Sequence, residues 1–582
     1  MPELPADAWV VDNPISRRYP IYTRGNVGEV FPDPVAPLSW TLAGIPGSEQ
    51  GWRDAYERFG VFDRSEFSDS AIEILGVFGG YAYLNVSVSR IFGIRVPGLT
   101  PEMVDYSLFG EQPDVLPYQP APTDESPEHT ARIADTLGWI LTAADLPELV
   151  ERQHQMAALR AARPDVTTLQ DRELVQRTRD LMHEWFRPMF AEHIFTTYCA
   201  MVPTGIVTGV CAAIGQPELA MQLIAGVGGV DSAAPSWAMW DLARLAASSE
   251  NVAGAFDAGV SGLLERLAAQ PGQEAKEFLA EFDAFLHEFG SRGPNEWEMR
   301  CPTWETHPEL ALTAIDRMRL SPADAAPTGH QDTLAASRAS LVGTVAEALA
   351  ADPETQAQFQ AGVRAAAVFL AGRERSKSNI VRLVNECRVL MHEFGRRMVA
   401  AGHFDDETNF GMLTEDELMA FLDDPGAYRE TIRSREARWA ELAGLAPPFV
   451  LNGSYVPTAE WARRNEVPVV DANAGTVLTG IPGCPGEATG RARVILDPFD
   501  GGDLEPGEVL VAPITDPSWT PLFVAAAGVV VDVGAQLSHA IIVSRELGIP
   551  CVVSVTDATR RIHDGALIRV DGTNGTVTVL EG

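Results

Sequence analysis

Between residues 129 and 445, apolar side chains recur at three- and four-residue spacing through stretches rich in alanine, leucine, arginine and glutamate. Leu174–Phe186, Val260–Leu267, Glu277–Phe289, Ala335–Leu349 and Ile380–Phe394 carry the pattern most clearly. That period turns one stripe of each segment toward a core and predicts a large, mainly α-helical domain. Proline and glycine interrupt it at Pro271-Gly272, at Gly290–Pro308 and at Pro322–Gly329. The tetrapeptide His-Glu-Phe-Gly occurs at 287–290 and again at 392–395, each time with an arginine within the next two residues. This predicts two helix C-termini closed by glycine, with the basic side chains at the negative end of the dipole.

After about Asp471 the texture changes to short β-branched runs bounded by glycine and proline. Arg491–Leu496, Glu508–Ile514, Gly528–Val533, Pro550–Val555, Ala566–Asp571 and Thr576–Leu580 read as strands, and Pro521–Ala527 and His539–Leu547 as helices between them. Asp564-Gly565, Asp571-Gly572 and Asn574-Gly575 supply the turns that fold the last strands back on one another. Residues 1–110 give weaker signals, with one short strand at Gly79–Asn85. Gln112–Glu128 holds five prolines in seventeen residues and reads as a linker. The expected organisation is multidomain. An N-terminal mixed segment (1–125) packs with a helical substrate-binding domain (126–455), and a linker (456–478) leads to a C-terminal α/β domain (479–582).

Composition narrows the function. The 582 residues, 46% hydrophobic and 21% charged, describe an ordinary folded chain of about three to five domains. The longest apolar stretch, Leu522–Val531, is about half of what a membrane-spanning helix needs. The acidic, proline-broken start resembles no secretory signal, so the expected compartment is the cytoplasm. A net charge of −36 opposes nucleic acid or an anionic membrane as the main partner. Lys276 and Lys377 are the only lysines, and neither follows a glycine, which excludes a G-x-x-x-x-G-K-[ST] phosphate loop. The six cysteines form no C-x-x-C pair and read as reduced thiols.

The segment from Gly534 to Pro550 carries the chemistry. A strand runs into a glycine-containing loop, Ser538 is placed to cap a helix, and His539 falls at its first position. There the backbone N–H groups point outward and the dipole is positive, which favours a neutral, nucleophilic ring. A phosphoryl group on that ring would accept hydrogen bonds from those N–H groups and from the Ser538 hydroxyl.

At these residues the sequence resembles the swivelling phosphohistidine domain of the phosphoenolpyruvate-utilising enzymes, which include pyruvate phosphate dikinase and phosphoenolpyruvate synthase. Ile481–Val494, Val509–Gly528, the His539 block and the closing DG, VDG and GTV elements follow in the family's order. Ala535 stands where the family usually has a second glycine, and Leu537 where the dikinases have threonine. The resemblance implies that His539 carries the phosphoryl group, with Gly534, Ser538 and Arg545 around it. Phe285–His307 is similar to a segment of the rifampin phosphotransferase substrate domain, on which Arg292, Gly293, Glu296, Trp304 and Glu305 fall. Arg373-Glu374-x-x-Lys377, Arg388 and Gly395–Arg397 are similar to the same family's next helix pair. Arg292, Glu296, Arg373 and Lys377 are therefore candidate substrate or phosphoryl ligands.

The resemblance further implies that ATP and magnesium are bound on a separate ATP-grasp subunit, as in phenylphosphate synthase, with no cofactor on this chain. With 43 residues after His539, no pyruvate-binding barrel is expected. His183-Glu184, His287-Glu288 and His392-Glu393 complete no H-E-x-x-H motif, so no metal is assigned. Each candidate also has a plain structural reading: a cap for His539, an ion pair for Arg292 and Glu296, a helix-face pair with Glu374 for Lys377. Aromatic residues such as Trp185, Phe186, Phe190, Trp237 and Trp240 belong to a core, part of which could line an apolar site. The expected function is phosphotransfer from a separate ATP-grasp protein through His539 to the hydroxyl of a small alcohol or phenol, with elimination of the ester as a variant. The alternative is a non-catalytic phosphocarrier or regulatory protein.

Overall fold

The computed structural model describes residues 4, 7–109, 115–217, 219–225, 227, 234–320, 328–464, 466, 470–496, 504–516, 519–534 and 538–582. Ala535, Leu537 and most of the break at 322–329 lie outside them. The chain forms two compact units that cross the boundaries expected from sequence. One comprises Met1–Pro203, Trp297–Cys301 and Arg364–Pro468, the other Thr204–Glu296, Pro302–Val363 and Val469–Gly582. The helical stretch 126–455 is therefore not one body, because its middle clusters with the C-terminal domain. Helical periodicity identifies an inward stripe but not the neighbour it meets.

In the first unit, strands β1 (Ile21–Thr23), β2 (Leu75–Phe78), β3 (Tyr81–Asn85) and β4 (Val450–Asn452) form an antiparallel sheet in the order β2-β3-β1-β4. Tyr22 lies opposite Asn85 on one side and Leu451 on the other. The single strand expected at 79–85 is one arm of a hairpin. Gly79 and Gly80 turn it at φ +57° and +83°, and the Asp12 carboxylate accepts both of their N–H groups. Tyr22, Tyr56, Phe59, Phe190, Phe369 and Phe394 share one core. N-terminal residues thus pack with helices from both ends of the expected substrate domain.

The run Asp171–Ala213 is, among the described residues, long and apolar enough to cross a membrane by length and composition alone, and half of its apolar window is buried inside the protein. One sequence expectation fails here. His392–Gly395 does not close a helix but lies inside Pro353–Ala400, whereas Phe289 does end Gln273–Phe289 with Gly290 as its cap residue. Gly395 answers to a close approach instead, since a Cβ there would lie 1.8 Å from the Glu407 carbonyl oxygen.

In the second unit, Ala234–Ser248, Gln273–Phe289 and Pro308–Leu320 bury Met239, Phe278, Phe282, Phe285 and Ile315 around Trp304. The same unit contains an eight-stranded sheet. Its strands are β5 (Val477–Thr479), β6 (Ile481–Cys484), β7 (Glu487–Val494), β8 (Val509–Ala512), β9 (Gly528–Val531), β10 (Cys551–Val553), β11 (Leu567–Asp571) and β12 (Thr576–Glu581). The order is β5-β12-β11-β7-β8-β9-β10-β6, with β7 to β10 parallel and antiparallel strands outside them. Alternate residues of the central strands feed two separate cores. Leu510, Val529, Val531, Cys551 and Val553 enter one, and Val509, Val511, Val530 and Val552 the other. Burial on both faces explains why these strands read as continuous apolar runs. Helices Thr520–Ala525 and His539–Leu547 connect β8 to β9 and β9 to β10, which makes the domain the α/β fold expected.

Candidate functional site

Parallel β8 and β9 lie side by side, and the loops leaving their carboxyl ends carry Thr515 and His539. Such ends are where open α/β sheets place ligands. Helix His539–Leu547 forms because Ala540, Ile541, Val543, Ser544 and Leu547 turn inward, and Gly548, at φ +69°, closes it by donating to the Ser544 carbonyl. Ser538 precedes it in extended conformation (φ −68°, ψ 159°) at the cap position, yet its hydroxyl accepts no helix N–H. That hydroxyl is buried and has no hydrogen-bond partner among the described residues. It is available to donate to a phosphoryl oxygen on the neighbouring ring.

The half-buried His539 ring is held by two threonines that the sequence pattern does not single out. Nδ1 lies 3.1 Å from Thr515 Oγ1 and Nε2 3.2 Å from Thr520 Oγ1, with the Phe523 ring nearly perpendicular and its centroid 5.9 Å from that of the imidazole. A neutral imidazole donates from one nitrogen and accepts at the other, and a hydroxyl serves either role. The available signal is their position, at the end of β8 and at the start of the next helix.

Gly534 packs so closely on β10 that a Cβ would lie 2.7 Å from Val553 Cβ. Beside it, burial pushes the Asp532 carboxyl up to about 7, against hydrogen bonds from Thr559. Arg545, expected near the phosphate, sits almost two turns along the helix. Its Nε donates to the Gly483 carbonyl at 3.1 Å, and Nη2 lies 3.6 Å from Met221 Sδ. The first contact ties the helix to β6, the second to the short helix Leu219–Leu223.

Arg292 and Glu296 form a buried ion pair at 3.3 Å, in a loop rather than at a helix terminus. The loop is tightly held, with Trp304 N–H donating to the Arg292 carbonyl and a Gly293 Cβ falling 2.6 Å from the Pro302 carbonyl oxygen. Asn295 N–H donates to Asp516 Oδ2 at 3.0 Å. Asp516 follows Thr515, so the structure joins this loop to the one that holds the His539 ring.

Arg373 and Lys377 belong to the first unit, one turn apart on Pro353–Ala400. Arg373 pairs with Glu374. Beside them lies a residue that sequence reasoning misses, His193. Its Nδ1 is 3.0 Å from Ser376 Oγ, and burial, then Arg373 and Lys377, lower its pKa to about 3. His193 also lines a cavity of about 100 Å³ with Trp40, Trp52, Phe186, Phe190 and Trp297. Met182, Phe186, Phe190, His193 and Ile194 share one helical face, and the detectable signal is a histidine within that apolar stripe.

Asp63, Glu66 and His129 bring ligand atoms within 4.8 Å of one another. Arg132 and Arg95 already donate to the two carboxylates at 2.8 Å, so the cluster is an ion-pair network.

Residues 192–374 match the family described as the rifampicin phosphotransferase fourth domain, and residues 504–575 match the mobile domain of PEP-utilising enzymes. An uncharacterised protein of Mycobacterium tuberculosis is 29% identical over 98% of this chain and 62% of its own length. The rifampicin phosphotransferase of Streptomyces sviceus is 34% identical over 56% of this chain and 37% of its own. The prodigiosin synthesizing transferase PigC of Serratia marcescens is 32% identical over the same shares. The chain thus spans less than two thirds of the length of these relatives. His539, Thr515 and Thr520 fall within the second matched region, and His193, Arg292, Glu296 and Arg373 within the first.

Proposed function

We propose that this chain, a PEP-utilising family member of the rifampicin phosphotransferase type, is a phosphotransferase component that carries a phosphoryl group on His539 to the hydroxyl of a small alcohol or phenol. The observation that carries the reading is the His539 ring at the start of its helix, with a threonine hydroxyl at each nitrogen and the Ser538 hydroxyl beside it. In loading, a phosphoanhydride P–O bond breaks and an N–P bond forms on His539. In delivery the N–P bond breaks, the acceptor oxygen bonds phosphorus, and the hydroxyl proton leaves to a base. The protein contributes positioning and cationic neutralisation of the transferring group. Arg373 and Lys377 are the proposed cations.

We assign the phosphoryl donor to a separate ATP-grasp protein that brings ATP and magnesium. Two lysines and no phosphate-loop motif in 582 residues support that assignment. The ester is the product, or it is eliminated in an ATP-driven dehydration. The proposed setting is a soluble, cytoplasmic protein. To test the reading, the chain labelled on His539 is freed of nucleotide and mixed with a panel of alcohols and phenols. Acceptor-dependent loss of label with formation of an ester or alkene supports a transferase. Loss of label to water alone across the panel contradicts it and points to a carrier without catalysis.

A further inference from the structure

We propose that the cavity around His193 is the acceptor pocket for a monocyclic phenol or an apolar alcohol of similar size, and that His193 Nε2 accepts the proton of its hydroxyl. The inference rests on the phosphotransfer reading above and adds the substrate class and the base. Shape and polarity select the ligand. About 100 Å³ lined by three tryptophans and three phenylalanines, the same order as the roughly 150 Å³ of a dry cavity that takes benzene, limits the ligand to a single ring. Among the described lining residues His193 is the one with an ionisable side chain.

Hydrogen bonding fixes the tautomer. Ser376 Oγ donates to the Arg373 carbonyl at 2.8 Å, which uses its only proton. It must therefore accept from His193, so Nδ1 carries the hydrogen and Nε2 keeps its lone pair. Burial first, and nearby charge second, lower the basicity of the ring. The charged groups acting on it are Arg373 and Lys377, both from the helix packed against it, and Arg373 is itself paired with Glu374. Glu298, next to the lining residue Trp297, accepts from the Ser39 hydroxyl. A dianionic phosphoryl group drawn to Arg373 and Lys377 would cancel their effect on the ring. His193 would then gain basicity as the transfer begins.

The step balances. The acceptor O–H bond breaks, its proton passes to His193 Nε2, and the oxygen bonds phosphorus. The N–P electron pair returns to His539, which is left neutral with a proton on its other nitrogen. The imidazolium of His193 then releases its proton to water.

The test is calorimetric titration of the full chain with phenol and, separately, with benzene. Wild type is expected to bind both, and His193→Leu to bind phenol at least tenfold more weakly while benzene binding persists, which also reports an intact cavity. His193→Gln, polar and closer in shape, guards against misfolding and is expected to lose phenol transfer from phospho-His539 by about a hundredfold. Phenol affinity unchanged in both variants, or no phenol binding to wild type, overturns the proposal. Failure of wild-type His539 to be phosphorylated would instead sink the phosphotransfer reading, so the two failures are distinguishable.

Discussion

His539 Nδ1 lies 3.1 Å from the hydroxyl of Thr515, a residue 24 positions earlier on the loop that leaves β8. With Thr520 on Nε2, this contact sets the direction of the ring before any phosphoryl group arrives. Thr515→Val and Thr520→Val should each slow loading of His539 by about three- to tenfold, the worth of one net hydrogen bond. Initial rates of acid-labile labelling with the ATP-grasp partner measure this. Unchanged rates in both variants would remove the threonines from the account.

Both His-Glu-Phe-Gly glycines are crowded: a Cβ at Gly290 would lie 2.3 Å from the Leu286 carbonyl oxygen, and one at Gly395 1.8 Å from that of Glu407. Gly395→Ala would set a methyl against the Glu407 carbonyl and should cost about 2–4 kcal/mol, read as a lower thermal midpoint. Gly343, a helix glycine whose added Cβ would meet nothing within 4 Å, is the control. Gly343→Ala should be neutral or stabilise by about 0.5–1 kcal/mol. Equal effects at the two positions would contradict the close approach.

These elements also mark what the sequence discloses. Helix His539–Leu547 is legible to the residue, because Ser538 and Gly548 bound it and the intervening apolar residues keep helical spacing. The central strands are legible because burial on both faces leaves unbroken apolar runs. β5 and β6 are not, being three and four residues long, and β6 holds Pro482, which an edge strand tolerates. Thr515, Thr520 and His193 are illegible for another reason. Each acquires its role from a partner brought close only by the fold, and local pattern carries no trace of that partner.

Asp532 supplies a pH signature. Burial raises its carboxyl from 3.8 to about 7, so between those values the folded chain holds a proton that the unfolded chain has released. Stability contributed here is full below about pH 4 and is lost as pH rises through 7, by up to about 4 kcal/mol. Asp532→Asn, which keeps an acceptor for Thr559 N–H, should raise the thermal midpoint at pH 8 and leave it nearly unchanged at pH 4. A midpoint lowered at pH 8 would show that the charged carboxylate is needed.

The central claim is that His539 carries the phosphoryl group, and phosphopeptide mass spectrometry at alkaline pH addresses it most directly. The purified chain is incubated with Mg-ATP, alone and with a candidate ATP-grasp partner. The account predicts phosphate on the peptide containing His539 only when the partner is present, and none in His539→Ala. Phosphate on another residue, or no phosphate with a partner proven to bind, would contradict it.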